Sequence, residues 1–325
     1  MITKLSVSNF KSVRQLDIEC KKVNLFIGEP NTGKSNILEA LALLSWCARP
    51  TQAPLGNYVR FELTQNLFYD QLLDQQICIS MSQSSGKPNL ALYVSFGNER
   101  FEFRSQANSG AFVTMDYNGH PRGAGHLHTN DIRFFRFKNL PKHTDATPGA
   151  LKPPDGANLF SVVFGSESLR ETMKDFFRKY GLKLVFKPQE KVFEVQKQTG
   201  DLVFSYPYTL ASDTLRRIIF YTLAIASNKD SVLVFEEPES NAFPYYTKYL
   251  GERIALDQTN QFFIATHNPY LLSAIIEKAR KEDVQVFITH FKDFQTRVKP
   301  LTANQLSELM EADPFFNLDR FIEED

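Results

Sequence analysis

A chain of 325 residues and 37.2 kDa has room for one large α/β domain or two ordinary ones. Its 42% apolar and 23% charged residues exclude a disordered or fibrous chain, and 37 basic against 37 acidic side chains leave no net field for nucleic acid, so such contact needs a local patch. No apolar run nears the ~18 residues of a membrane span, the opening MITKLSVSNFKS lacks a signal core, and Cys20, Cys47 and Cys78 lack metal-ligand spacing, so a soluble cytoplasmic protein with no membrane partner is expected.

The N-terminal segment reads as antiparallel strands, with Leu5 and Val7, then Leu16 and Ile18, alternating with polar neighbours. Val23-Asn24-Leu25-Phe26-Ile27 is a short, largely apolar run ending at Gly28, as in a strand buried on both faces. Residues 34–47 place Ile37, Leu38, Leu41 and Leu44 on one helical stripe. The texture then changes to short β-like pieces at 91–96, 100–104, 132–137, 183–187, 192–196 and 202–206, with a Pro/Gly-rich loop from Thr147 to Gly156. Helix–strand alternation returns at 209, with a helix over 213–226 and apolar strands at 232–236, 261–265 and 284–289. Such alternation implies a mainly parallel sheet with right-handed crossovers. Residues 1–48 and 209–325 are expected to form one α/β core with an antiparallel N-terminal β subdomain, and 49–208 an inserted α+β lobe.

Gly28-Glu29-Pro30-Asn31-Thr32-Gly33-Lys34-Ser35 fits G-x-x-x-x-G-K-[ST], after an apolar strand and opening a helix. Its glycines let backbone N–H groups of Gly28, Asn31, Thr32, Gly33 and the following Asn36 turn wrap phosphates, with the helix N-terminus adding positive potential. Lys34 is expected to reach the β- and γ-phosphates of ATP, and the Ser35 hydroxyl to ligate Mg²⁺. Val232-Leu233-Val234-Phe235 ends in Glu236-Glu237-Pro238-Glu239, which puts two carboxylates beyond a C-terminal strand end, where parallel sheets bind ligands. Glu236 is assigned to Mg²⁺ through water, and Glu237 to orienting or deprotonating the attacking water. A third buried strand, Phe262-Phe263-Ile264-Ala265, carries Thr266-His267-Asn268-Pro269 at the same edge.

These segments resemble ABC-type P-loop ATPases of the compact SMC, RecF and OLD group. The resemblance implies a Walker B acid at Glu236, where that group usually has Asp, a catalytic glutamate at Glu237 and a switch histidine at His267. Glu239-Ser240-Asn241 takes the place of its D-loop. Leu210-Ala211-Ser212-Asp213-Thr214-Leu215-Arg216-Arg217 stands where the group binds the γ-phosphate held by an opposite subunit, but the usual glycines are missing and Asp213 adds negative charge. Either Ser212, Thr214 and Arg216 compensate, or the half-site is weak; an ordinary capped core helix is the plainer alternative. Ser8-Asn9-Phe10-Lys11-Ser12 also resembles the group's opening, which implies a nucleotide-side role for Lys11. Pro153-Pro154-Asp155-Gly156-Ala157-Asn158-Leu159 resembles a loop-and-helix element of RecF/OLD-like members.

The expectation is thus an ATP-hydrolysing, nucleotide-gated homodimeric clamp or switch, with two ATP sandwiched between two chains. By resemblance its output falls on DNA or on an effector protein, such as a nuclease or toxin acting in trans, in DNA repair or anti-phage defence. The absence of heptads argues against a full SMC protein, and the 58 residues after His267 are too few for a Toprim nuclease. A slow or non-hydrolysing ATP-dependent scaffold is the main rival, and a transporter subunit a lesser one. Three weaker signals carry no functional assignment. His120, His126 and His128 suit a surface loop better than a Zn²⁺ site. Arg133-Phe134-Phe135-Arg136-Phe137-Lys138 suits a strand with an aromatic buried face and a basic solvated one better than a nucleic-acid surface. Asn228-Lys229-Asp230-Ser231 has its Asp one position early for a guanine-reading box.

Overall fold

In a computed structural model, residues 1–50, 52–84, 89–106, 110–123, 125–129, 131–311, 314–316 and 318–322 are described. The chain opens with β1 (Ile2–Phe10), β2 (Val13–Glu19), β3 (Val23–Ile27) and α1 (Lys34–Cys47). β1 and β2 pair antiparallel with Leu5 opposite Ile18 and Val7 opposite Leu16, the four side chains expected to face the core. Strands β4 (Ile77–Gln83), β5 (Leu90–Gly97), β6 (Arg100–Ser105), β7 (Val113–Met115) and β8 (Pro121–Arg122) follow, then β9 (Ile132–Phe135). Next come α2 (Leu159–Phe164), α3 (Glu167–Arg178), β10 (Lys183–Lys187), β11 (Val192–Thr199) and β12 (Leu202–Pro207). The C-terminal part holds α4 (Asp213–Ser227), β13 (Val232–Glu236), α5 (Pro244–Leu256), β14 (Gln261–Ala265), α6 (Pro269–Lys278), β15 (Val284–Lys292), β16 (Gln295–Pro300), α7 (Ala303–Glu311) and α8 (Leu318–Ile322).

A six-stranded sheet in the order β16-β15-β3-β14-β13-β9 forms the centre, parallel except for β16. Adjacent residues along its strands feed different cores. Val232 and Val234 pack with α1 and the N-terminal sheet, whereas Leu233 and Phe235 pack with α4, α5 and α6. Burial on both faces explains why these strands read as continuous apolar runs rather than alternating ones. The fold class is thus α/β, with a mainly parallel P-loop sheet, an antiparallel N-terminal sheet and further α and β elements.

The stretch 49–208 does not stay together as one lobe. β4 to β8 extend the N-terminal sheet in the order β2-β1-β4-β5-β6-β7-β8, and β9 completes the central sheet beside β13. Only β10-β11-β12 form a sheet of their own. The reason for β9 is visible in its side chains. Phe134 and Phe135 are both fully buried, one in each core, so a two-faced strand with a solvated basic side is not what forms. The C-terminal hairpin partner β16 and the strand β4 carried no clear signal.

Candidate nucleotide site

The phosphate loop runs from β3 into α1. Gly28 has φ 148° and Gly33 φ 95°, and a Cβ on either would collide, at 2.3 Å with the Thr289 carbonyl and at 1.9 Å with Thr296 Oγ1. Both threonines lie on the β15–β16 hairpin, so the loop is braced from beneath by the C-terminal hairpin. Thr32 Oγ1 lies 2.9 Å from Thr289 Oγ1, Ser12 Oγ lies 2.7 Å from Thr296 Oγ1, and Asn36 Nδ2 donates to Ser12 Oγ at 2.6 Å. Asn31 sits in the left-handed region at φ 63°. α1 then starts with no acidic residue of its own in its first turn.

Lys34 is buried, and its Nζ donates to the Gly28 and Glu29 carbonyls at 2.7 Å each. Burial holds its pKa below the ordinary lysine value, against the pull of Glu237 and Glu29. The Ser35 hydroxyl lies close enough to the Glu236 carboxylate to favour its charged form, which puts the two expected Mg²⁺ ligands at one place. Burial pushes the Glu236 carboxyl up, but Ser35, Arg60 and Arg136 outweigh it and hold its pKa below the ordinary glutamate value. The hydroxyl and carboxylate are hard oxygen donors that suit Mg²⁺, which characteristically takes few protein ligands and completes its shell with water and phosphate. No group of three metal-ligating side chains exists among the described residues.

Glu237 follows β13 with φ 44°, and its N–H donates to the Ala265 carbonyl at 2.9 Å. That bond ties the end of β13 to β14 and brings Glu237 to His267. The His267 Nδ1 lies 3.1 Å from Glu237 Oε1, and Ser240 Oγ donates to Glu237 Oε2 at 3.3 Å. Both Glu237 and His267 keep solvent access. Glu239 beneath them is buried and accepts a hydrogen bond from the Thr266 hydroxyl.

Lys11 lies close to this edge but points at Glu39, not into the loop. Its Nζ donates to Glu39 and to the Arg60 carbonyl, and burial lowers its pKa against the pull of Glu39. Ser212 does hold the N-cap position of α4 and is exposed, but its side chain makes no cap hydrogen bond. Thr214 donates to the Asn241 carbonyl at 2.7 Å, and buried Arg216 bonds the Ala211 carbonyl, Asn139 and Asp213. Two of the three residues expected to compensate for missing glycines are therefore engaged within the chain.

Sequence reasoning missed Arg60, Glu39, Thr289 and Thr296, and read Arg136 as a solvated strand residue. Arg136 Nη2 instead bonds Glu236 Oε2 at 2.8 Å, and Arg60 Nη2 bonds Glu236 Oε1 at 3.1 Å. The histidine-containing run shows pairwise contacts: His120 pairs with Asp116 at 3.2 Å, and the His126 and His128 rings meet edge-on at 4.7 Å. Ala124 in that run lies outside the described residues.

A phosphate loop, an acid pair and a histidine at one edge of a mainly parallel sheet define a compact ABC-type P-loop ATPase domain. Residues 23–273 match the family described as "AAA domain, putative AbiEii toxin, Type IV TA system", and the chain belongs to that family. Its fold is that of SMC heads. A crystal structure of an Smc head bound to the C-winged helix domain of ScpA is similar with a TM-score of 0.57 at 13% identity, covering 94% of this chain and 99% of that one. An Smc head with an extended coiled coil, bound to the C-terminal domain of ScpA derived from Pyrococcus furiosus, gives 0.54 at 11% identity, covering 95% and 98%. No helix among the described residues is long and apolar enough to cross a membrane.

Proposed function

We propose that the protein binds ATP with Mg²⁺ at the phosphate loop, hydrolyses it through Glu237, and uses the cycle to close and open a homodimer. The observation that carries this reading is the meeting of Ser35 with Glu236 and of Glu237 with His267 at the mouth of one loop. Lys34 exchanges its two loop carbonyls for phosphate oxygens, while N–H groups of Gly28 and of Asn31 to Asn36 wrap the phosphate chain. Ser35 and Glu236 would hold the metal, which would supply charge neutralisation to the phosphates. Glu237 orients water and takes its proton; His267, on the same carboxylate, reports the γ-phosphate to the loop that follows β14.

Dimer closure is supported by the exposed Ser212 and its apolar surroundings. Leu210, Tyr180 and Tyr206, exposed by 72%, 57% and 48%, line one groove with Ser212. The engaged Thr214 and Arg216, beside exposed Asp213, favour a second reading, an ATP-held scaffold with slow turnover. A partner protein is in keeping with the ScpA-bound Smc heads, and an effector in defence with the toxin–antitoxin description of the family; DNA as target rests on the resemblance to DNA-repair members.

Phosphate release and equilibrium ATP binding, measured on wild type, Glu237→Gln and Lys34→Ala, test the assignment. Glu237→Gln is expected to bind ATP as wild type does and to turn over ~10²–10³-fold more slowly. Equal turnover in the two would remove Glu237 from the chemistry, and negligible wild-type turnover with tight binding would select the scaffold.

A further inference from the structure

Glu39 is a carboxylate in the middle of the otherwise apolar α1, with its side chain fully buried. A buried charge persists only when paired and hydrogen-bonded. Lys11 Nζ, Arg60 Nε at 2.8 Å and the Arg60 N–H at 3.2 Å do this for Glu39. Glu236 shares Arg60, on one oxygen, and takes Arg136 on the other. The cluster therefore holds two carboxylates and three cations. It adjoins the phosphate loop, where the Ser35 hydroxyl stands beside the Glu236 carboxylate.

Arg136 stands between the two acids. Its Nη2 is 2.8 Å from Glu236 Oε2 and 3.7 Å from Glu39 Oε1, while the guanidinium rests over the Phe134 ring at 5.0 Å. A rocking motion of about 1 Å on that ring exchanges one carboxylate for the other at hydrogen-bond distance. Glu39 cannot follow, because it is buried and anchored by three donors from Lys11 and Arg60. The Arg136 guanidinium is always charged and occupies a Glu236 oxygen that a hydrated divalent cation needs.

Resting on the reading of Ser35 and Glu236 as the metal side of the site, we propose that Arg136 is the counter-ion Glu236 releases when Mg²⁺ binds. Glu39 is the positioning residue that receives it. Arg136 thereby sets the metal concentration at which the site engages nucleotide. Before the metal arrives it neutralises an acid that would repel the phosphates, so it supports metal-free nucleotide binding. Once the metal is present it competes for the same oxygen.

The test is equilibrium binding of a fluorescent N-methylanthraniloyl ATP to the full chain, titrated with Mg²⁺ and repeated in EDTA, with Mn²⁺ binding followed by electron paramagnetic resonance. Arg136→Gln is expected to lower the half-saturating Mg²⁺ and Mn²⁺ concentrations at least 5-fold and to weaken nucleotide binding in EDTA at least 5-fold. Arg136→Lys, which keeps the charge, should fall between the two. A merely structural role would weaken both measurements together and lower the melting temperature. A half-saturating metal concentration unchanged within 2-fold, or raised, in Arg136→Gln would overturn the proposal while wild-type binding still requires Lys34. Wild-type binding that is absent or indifferent to Lys34→Ala would instead overturn the nucleotide site, and the role of Arg136 with it.

Discussion

Lys34 donates to two carbonyls of its own loop, and no other cation lies within the phosphate loop sequence. Charge-assisted hydrogen bonds contribute about 1.5–3 kcal/mol each, so losing two to the phosphates corresponds to ~10²-fold or more in affinity. Lys34→Ala is expected to show that loss in ATP binding by calorimetry with an unchanged melting temperature; near-normal affinity would contradict the assignment. Glu239 answers to pH instead. It is buried, one oxygen is held by Thr266, the other finds no hydrogen-bond partner among the described residues, and burial pushes its pKa from 4.5 to about 7. Between those values the folded carboxyl keeps a proton that the unfolded chain has lost, so folding is favoured at the acid end and the advantage fades as pH rises through 7. The full term approaches about 3 kcal/mol. Urea unfolding of wild type and Glu239→Gln from pH 5 to pH 8 should therefore show wild type losing stability relative to the variant; parallel curves would refute the shift.

At the scale of elements, the hairpin β15–β16 acts as the floor of the phosphate loop. Gly33→Ala places a Cβ against Thr296 Oγ1 at a left-handed φ, a strain of about 1–3 kcal/mol, so a lower melting temperature and weaker ATP binding are expected together. Pairing with Thr296→Ala should recover part of the loss, and no recovery would argue against the hairpin as the obstacle. What the sequence reveals here follows from locality. The phosphate loop is legible because backbone binding of phosphate demands glycines at fixed spacing, and the β13 and β14 tips are legible because buried parallel strands read as apolar runs ending in polar residues. Arg136 and Arg60 meet Glu236 from 100 and 176 positions away, with no spacing rule to announce them. The Arg133–Lys138 run misled because its alternation looks one-sided, whereas a central strand buries neighbours on both faces. Even the buried Glu39 gave its hint only as an acid on an apolar helix.

For the whole molecule, the three sheets among the described residues divide the labour: the central one carries the nucleotide edge, the N-terminal one covers α1, and β10–β12 pack beside α3. Antiparallel strands inserted in sequence can add to an existing edge in space, as β4 does on β1, and this gives no signal in the local pattern of 49–208. The face around Ser212, with Leu210 and Tyr206 exposed, is the surface on which two copies are proposed to close over ATP. Ser212→Arg is expected to leave ATP binding by the monomer intact and to block association, as read by sedimentation; normal association would remove this face from the interface. The most direct measurement is the solution mass of Glu237→Gln by light scattering, with and without Mg·ATP, because losing the base should trap the closed state. A shift from one chain to two only when Mg·ATP is present is the predicted result. A mass that stays the same while ATP is demonstrably bound would contradict the nucleotide-gated dimer.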